Sequence, residues 1–285
     1  MKMPAADDSP RGSEAISPTA HYTAYLWARN GLSHPALITR EGRVMYEAMR
    51  PLLRISGVLG GPTLESYLLA RHRAIDTLLE RAIEDGRVSQ VIEVACGLSP
   101  RGWRFAERHG DRITYIEADL PGMAARKRRA LVRIGSLGER HRVEEIDALR
   151  DLGPGSLAQI AGTLEPDRGL AIITEGLLGY LDRATMEAVW RRFARELAGF
   201  PDGCYFSDLP LGGRASAVVR AFRLALSAFV RGQVHMHFAG AAEATDGLHG
   251  AGFARAAVRP AAEILNRPDT DSGARFAHVI EADVR

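Results

Sequence analysis

The stretch that most restricts the fold is "VSQVIEVACGLSPRGWRFAERHGDRITYIEAD", Val88 to Asp119. It opens with an apolar run, breaks at one glycine, Gly97, crosses a helix-like segment, and returns to a second apolar run closed by a carboxylate. Short apolar runs of this kind suit strands covered on both faces, as in a parallel sheet. A strand, a tight turn, a helix and a second strand ending in an acid is how an open α/β sheet builds a nucleoside site, because the turn admits the ligand and the acid can hold ribose hydroxyls.

The rest of the chain continues the alternation. Val88–Val94 and Arg112–Glu117 read as strands one and two, with helices over Gly102–His109 and Leu120–Leu137. "HRVEEIDAL" is a third strand ending near Asp147, and "GLAIITEGLLGYL" a fourth ending at Glu175. "TMEAVWRRFARELAGF" is an amphipathic helix, "CYFSDLP" a fifth strand, and closing strands lie around "ARAAVRP" and "RFAHVIEADV". Upstream, "TLESYLLARHRAIDTLLERAIEDG" is a helix capped by Thr63 and stopped at Gly86. Pro18 to about Leu59 reads as helical and aromatic-rich, and the C-terminal third carries the apolar "RAFRLALSAFV". With 285 residues, 46% of them hydrophobic, the chain can bury one large core. The expected architecture is α/β with a mostly parallel sheet and helices on both faces. Residues 1–16 form a disordered start, 17–61 a helical lid, and 62–285 the ligand-binding domain.

Charge and cysteine usage exclude several partner classes. Lys and Arg number 37 against 35 Asp and Glu, a net charge of +2, so no nucleic-acid partner is called for, and the run "ARKRR" reads as a solvated helix face. Cys96 and Cys204 lack metal-ligand spacing, and no third ligand joins His235, His237 or His249, so no metal site is expected. The first residues lack the apolar core of a signal peptide and no run approaches the ~20 apolar residues of a membrane span. A cytoplasmic protein without membrane contact is the expectation.

Ligands of open parallel sheets bind outside the carboxyl ends of the strands. Four consecutive strands end there in chemistry: Cys96–Gly97, Asp119, Asp147 and Glu175. A phosphate ligand would want lysine and a glycine-rich nest; this turn has one close-spaced glycine and no GxGxxG or GKS/T. An acidic crown suits a nucleoside that carries positive charge and many donors. S-adenosylmethionine, with ribose, ammonium and sulfonium, is such a ligand.

"VIEVACGLSPRGWRF", "YIEADLP…ARK", "EEIDALRDL" and "ITEGLLGYL" resemble, in order, the motif set of the leucine carboxyl methyltransferase family. "SPTAHYTAYLWARNGLSHPAL" is similar to the opening of its bacterial branch, which includes a polyketide O-methyltransferase, and so implies a role in secondary metabolism. The resemblance implies a class I, Rossmann-like methyltransferase fold that binds S-adenosylmethionine. By position it places Gly97 against the methionine part, Asp119 on the ribose, Asp147 and Ala148 beside the adenine, and Glu175 on the ammonium. Arg71 falls on the cofactor carboxylate, Arg101 is a second arginine for it, and Glu93 joins the cofactor residues. The family's "GAGLDTR" reads "ACGLSPR" here, a departure at Cys96, Ser99 and Pro100.

The implied reaction is O-methylation of a carboxyl or other oxygen of a small, natural-product-like acceptor. A carboxylate is already ionised at neutral pH and needs no general base. Tyr180, Ser207 and Asp208, past strands four and five, are the residues expected to act on the second substrate. Tyr22, Tyr25 and Trp27 offer a cation–π cage for the sulfonium. One alternative is a cyclase resembling azetidine-2-carboxylate synthases, which closes the cofactor's own amine and releases methylthioadenosine; another is a non-catalytic S-adenosylmethionine-binding protein.

Overall fold

The computed structural model describes residues 18–58, 63–212, 235–266 and 272–285. The expected disordered start and "RAFRLALSAFV" lie outside them. Seven strands form one sheet in the order β3-β2-β1-β4-β5-β7-β6. They are β1 Gln90–Val94, β2 Thr114–Asp119, β3 His141–Glu145, β4 Leu170–Thr174, β5 Gly203–Asp208, β6 Arg255–Pro260 and β7 His278–Asp283. β1 to β5 pair in parallel, and β7 runs antiparallel to both β5 and β6. Every residue of β1 and β4 is buried, which explains their unbroken apolar sequence.

Helices cover both faces. Side chains alternate along a strand, so Val91, Tyr115, Ala171, Ile173, Cys204 and Phe206 share one core with α3 (Leu64–Glu84) and α1 (Pro18–Arg29). Ile92, Val94, Ile116, Leu170, Ile172 and Tyr205 share the other with α7 (Arg183–Leu197) and α8 (Ala241–Ala251). Both β1 and β2 feed helices on the first face, α4 (Arg101–His109) and α5 (Pro121–Ile134), as right-handed crossovers require. α2 (Arg40–Val58) packs on α1, and α6 (Leu157–Ala161) on α7.

The sequence reading of β1 to β7 holds, with shifted ends. β3 stops at Glu145, two residues before Asp147, and β4 stops one residue before Glu175. The predicted helix to Leu137 ends at Ile134, because Gly135 takes the left-handed conformation (φ 77°) that caps it. α3 starts where expected: the Thr63 and Ser66 side chains each bond the other's backbone N–H in a capping box. α8 was not foreseen, since its alanines and glycines show little apolar periodicity. No described helix is long and apolar enough to cross a membrane.

The opening segment is helical as read, but its aromatics face inward. Tyr22 and Trp27 are buried in the first-face core, Tyr22 and Tyr25 against Tyr46, and Trp27 against the His72 ring at 4.8 Å. These rings stabilise the roof by burying apolar area and do not form the expected cage.

Candidate functional site

The four strand ends meet along one edge of the sheet. After β1 the chain turns through two left-handed residues, Ala95 (φ 55°) and Gly97 (φ 52°). That conformation costs an alanine about 1–2 kcal/mol, so the turn is held by its surroundings. Cys96 N–H bonds the Ala118 carbonyl at 3.1 Å, and Gly97 N–H bonds Asp119 Oδ2 at 2.7 Å. The other Asp119 oxygen accepts from Leu120 N–H at 2.7 Å. Burial raises the Asp119 pKa against the pull of these two N–H groups. The carboxylate is thus fixed at the strand end, and each oxygen keeps a lone pair for a further donor.

α1 lies over this turn. A Cβ built on Gly97 would meet Ala20 Cβ at 3.4 Å, and Ala24 packs on Leu98 and Met123. Beyond β3, Ile146 N–H bonds the Asp119 carbonyl at 2.9 Å, which brings Asp147 and half-buried Ala148 beside β2. Asp147 Oδ1 accepts from Leu149 N–H.

Beneath the crown lies a network of buried ions. Arg101, fully buried, donates to Asp76 at 2.6 Å, to Glu93 at 2.5 Å and to Glu175 at 2.6 Å. Tyr115 Oη donates to the second Glu93 oxygen, and His72 Nδ1 lies 2.8 Å from Glu175. Arg71 spans Glu175 (3.2 Å) and Asp208 (2.9 Å), and Gly176 N–H bonds the other Asp208 oxygen at 2.6 Å. Burial alone would raise the Glu175 pKa, but His72, Arg101 and Arg71 hold it well below the usual carboxylate range. The same balance, set by His72, Arg101 and Arg104, lowers Asp76.

These partners correct several expectations. Arg101 and Glu93, expected on the cofactor, are bonded to each other and to internal groups, an arrangement that supports the turn from below. Ser207 is fully buried on the opposite sheet face, where its hydroxyl pairs with Thr174 at 2.7 Å and Thr174 pairs with Tyr205. The period of two in "CYFSD" carries the signal: Cys204, Phe206 and Asp208 share one face, Tyr205 and Ser207 the other. Arg71, Glu175, Asp208, Gly97 and Asp119 do come together at the sheet edge. Tyr180, 44% exposed after β4, bonds Thr19 Oγ1 of α1 at 2.9 Å. His235 and His237 stack on one another nearby, where His235 N–H bonds the Gly179 carbonyl. Among the described residues no cluster of three His, Cys, Asp or Glu could hold a metal, and Cys96 and Cys204 are both free and buried.

One residue escaped the sequence reading. Lys127, inside "ARKRR", is fully buried, paired with Glu117, and donates to the Ser99 carbonyl at 2.5 Å. Glu117 also bonds His141 at 2.8 Å, and lies so close under α4 that a Cβ on Gly102 would stand 2.4 Å from its carboxyl carbon. A signal was present: the buried positions of α5 are Met123, Ala124, Lys127, Ala130 and Leu131, and Lys127 continues their stripe.

Comparison with known proteins relates the chain to established groups by sequence and by fold. The family model described as leucine carboxyl methyltransferase matches residues 38–194, more than half of the chain. No curated protein matches the sequence. A DUF574 family protein from Streptomyces avermitilis superposes with TM-score 0.61 at 12% identity, over 95% of this chain and 98% of that one. A protein from Thermobifida fusca described as a candidate methyltransferase gives TM-score 0.60 at 15% identity, over 97% and 98%. Likeness at this identity shows the fold. The chain spans only 51% of PigF, solved with SAH, with 70% of this chain covered, 18% identity and TM-score 0.47.

Proposed function

Because the chain belongs to the leucine carboxyl methyltransferase family and is thereby an S-adenosylmethionine-dependent methyltransferase, we propose that it methylates an ionised oxygen, a carboxylate, of a small acceptor. The observation that carries this reading is the state of the three side chains expected to act on the acceptor. Ser207 is buried among hydroxyls, both Asp208 oxygens are engaged by Arg71 and Gly176, and Tyr180 pairs with Thr19. Asp208 is the ion-pair partner of Arg71, Ser207 and Tyr180 are bonded to neutral hydroxyls, and a carboxylate acceptor asks for no proton to be taken. Catalysis then rests on alignment and exclusion of water. A natural-product-like acceptor, of the polyketide and secondary-metabolite kind, fits the opening motif.

The residues present fit the cofactor. Asp119 offers two oriented oxygens with open lone pairs to the ribose hydroxyls, and Gly97 exposes backbone for the methionine half. Arg71, less enclosed than Arg101 or His72, faces the carboxylate, and Glu175 the ammonium; Asp147 and Ala148 flank the base. When bound, S-adenosylmethionine supplies an electrophilic methyl on a sulfonium. α1 and α2 serve as the lid: α1 covers the glycine turn, reaches Tyr180, and keeps water from the reacting atoms.

The cyclase reading needs a proton acceptor for the cofactor amine, and the commitments of Ser207 and Asp208 weigh against it. A product assay separates the two. With S-adenosylmethionine alone the protein should release little S-adenosylhomocysteine and no methylthioadenosine, and a panel of aryl and aliphatic carboxylic acids should switch turnover on. Methylthioadenosine formed at catalytic rate without acceptor would replace this reading with the cyclase. Asp119→Ala should weaken cofactor binding by about 1–3 kcal/mol in calorimetry.

A further inference from the structure

We propose that Lys127 is a positioning residue for the ligand turn, holding the Ser99 carbonyl from below so that Gly97 presents its backbone at the correct depth. The proposal rests on the reading of the 95–101 turn as the place of the cofactor's methionine half.

The turn is anchored at three points. β2 holds its start through Ala118 and Asp119, which receive the Cys96 and Gly97 N–H groups. Its end, where Ser99 N–H closes on the Cys96 carbonyl, is held by Lys127. A carbonyl at such a turn has many cheaper partners, including water. A fully buried ammonium is expensive unless it is paired and hydrogen-bonded, and here it is both. Glu117 neutralises it, and His141 holds Glu117 from the other side. Burial, the largest single influence, would lower the Lys127 pKa, but Glu117 together with Glu93 and Cys96 raises it and keeps the amine charged. Gly102 completes the arrangement, because any side chain there would push Glu117 out from beneath α4. Three residues on three elements, Glu117 of β2, Lys127 of α5 and Gly102 of α4, together with His141 of β3, thus act on one backbone carbonyl.

A counter-ion that merely neutralises Glu117 would be replaceable along with its partner. A positioning residue would not. Lys127→Met alone leaves the buried Glu117 carboxylate with only His141 as its partner, so it should lower both stability and cofactor affinity. In Lys127→Met/Glu117→Gln both members of the pair are neutral, and the Gln amide, which can donate or accept, still pairs with His141 Nε2. Removal of a buried pair as a unit is close to neutral for stability, so the melting temperature should return toward that of the wild type. The affinity for S-adenosylhomocysteine, measured by calorimetry, should remain weakened about tenfold or more, the scale of a slightly misplaced site. Wild-type affinity in the double variant would overturn the proposal and leave Lys127 as a counter-ion only.

Lys127→Arg keeps a charged donor toward Ser99 and is the second variant, sufficient by itself if the double variant does not fold. Affinity within about threefold of wild type supports the proposal, and a tenfold loss at unchanged melting temperature overturns it. The Michaelis constant for the acceptor should not move in either variant. Failure of the wild-type protein to bind S-adenosylhomocysteine at all would instead overturn the site reading on which this one rests.

Discussion

The two faces of the sheet both bury aromatic rings but differ in buried charge. The face under α3, α4 and α5 buries Asp76, Glu93, Arg101, Glu117 and Lys127 beneath a crown that includes Glu175 and Asp208. Among the described residues the face under α6, α7 and α8 packs Trp190, Phe193, Tyr205 and Phe253 with neutral hydroxyls at Thr174 and Ser207 and buries no such ions. Buried charge is weak evidence for stability, since apolar side chains of similar volume serve as well or better. Its confinement to one face therefore points to a use, and every ion of that face lies under or beside a strand end that the ligand turn borders.

The largest test of this contrast is Arg101→Met. It strands Asp76, Glu93 and Glu175 at once, and breaking one buried pair already costs about 3–5 kcal/mol. Loss of the cooperative unfolding transition, or a fall in melting temperature beyond that of any apolar-face variant, is expected. Somewhat smaller is Phe193→Ala on the opposite face, which should cost about 3–5 kcal/mol and leave the affinity for S-adenosylhomocysteine unchanged in molecules that remain folded. If Phe193→Ala weakened binding as much as it weakened folding, the division of labour between the faces would fail.

Acid separates the two roles on the charged face and is the smallest effect. Glu175 and Asp76 have folded pKa values depressed below the ordinary ~4.3 and ~3.9. Their contribution is fully present above those unfolded values and is lost as pH falls through the folded ones. Asp119 is shifted the other way; its carboxylate is lost before those of Glu175 and Asp76 as pH falls, and its protonation favours the fold. Cofactor affinity should therefore decline in mild acid while the melting temperature holds, and unfolding should follow only at lower pH. Asp119→Asn should flatten the first decline and leave the second. Coincident loss of binding and structure would show the faces' ions to be one undivided system.

Much of this was legible in the chain. Apolar runs and turn residues located the strands and put Gly97 and Asp119 at strand ends, where a 2.7 Å hydrogen bond joins them. What stayed hidden has physical reasons. Lys127 sits among four other cations or small residues in "ARKRR", and composition masks that its own position falls on the apolar stripe. Ser207 follows a strand-end pattern shared with Asp208, yet one step along a strand reverses the face. Arg101 and Glu93 matched ligand-facing motifs, and only the packing of α4 against β1 reveals that they face one another. α8 lacks the periodic apolar residues that announce a helix, because Ala244 and Leu248 make its inner stripe between glycines.

The bond between Thr19 and Tyr180 joins two neutral hydroxyls at an exposed seam, and a bond of that kind is worth about 0.5–1.5 kcal/mol. With thermal energy near ~0.6 kcal/mol at room temperature, such a seam parts readily. The roof's body, by contrast, is nailed down by Tyr22 and Leu26 in the core. On the proposal that α1 covers the bound ligand, opening of the seam is expected to be a rapid pre-equilibrium ahead of the slow step. Its weakening, as in Tyr180→Phe, enters the Michaelis constant of whatever passes beneath and leaves the maximal rate alone.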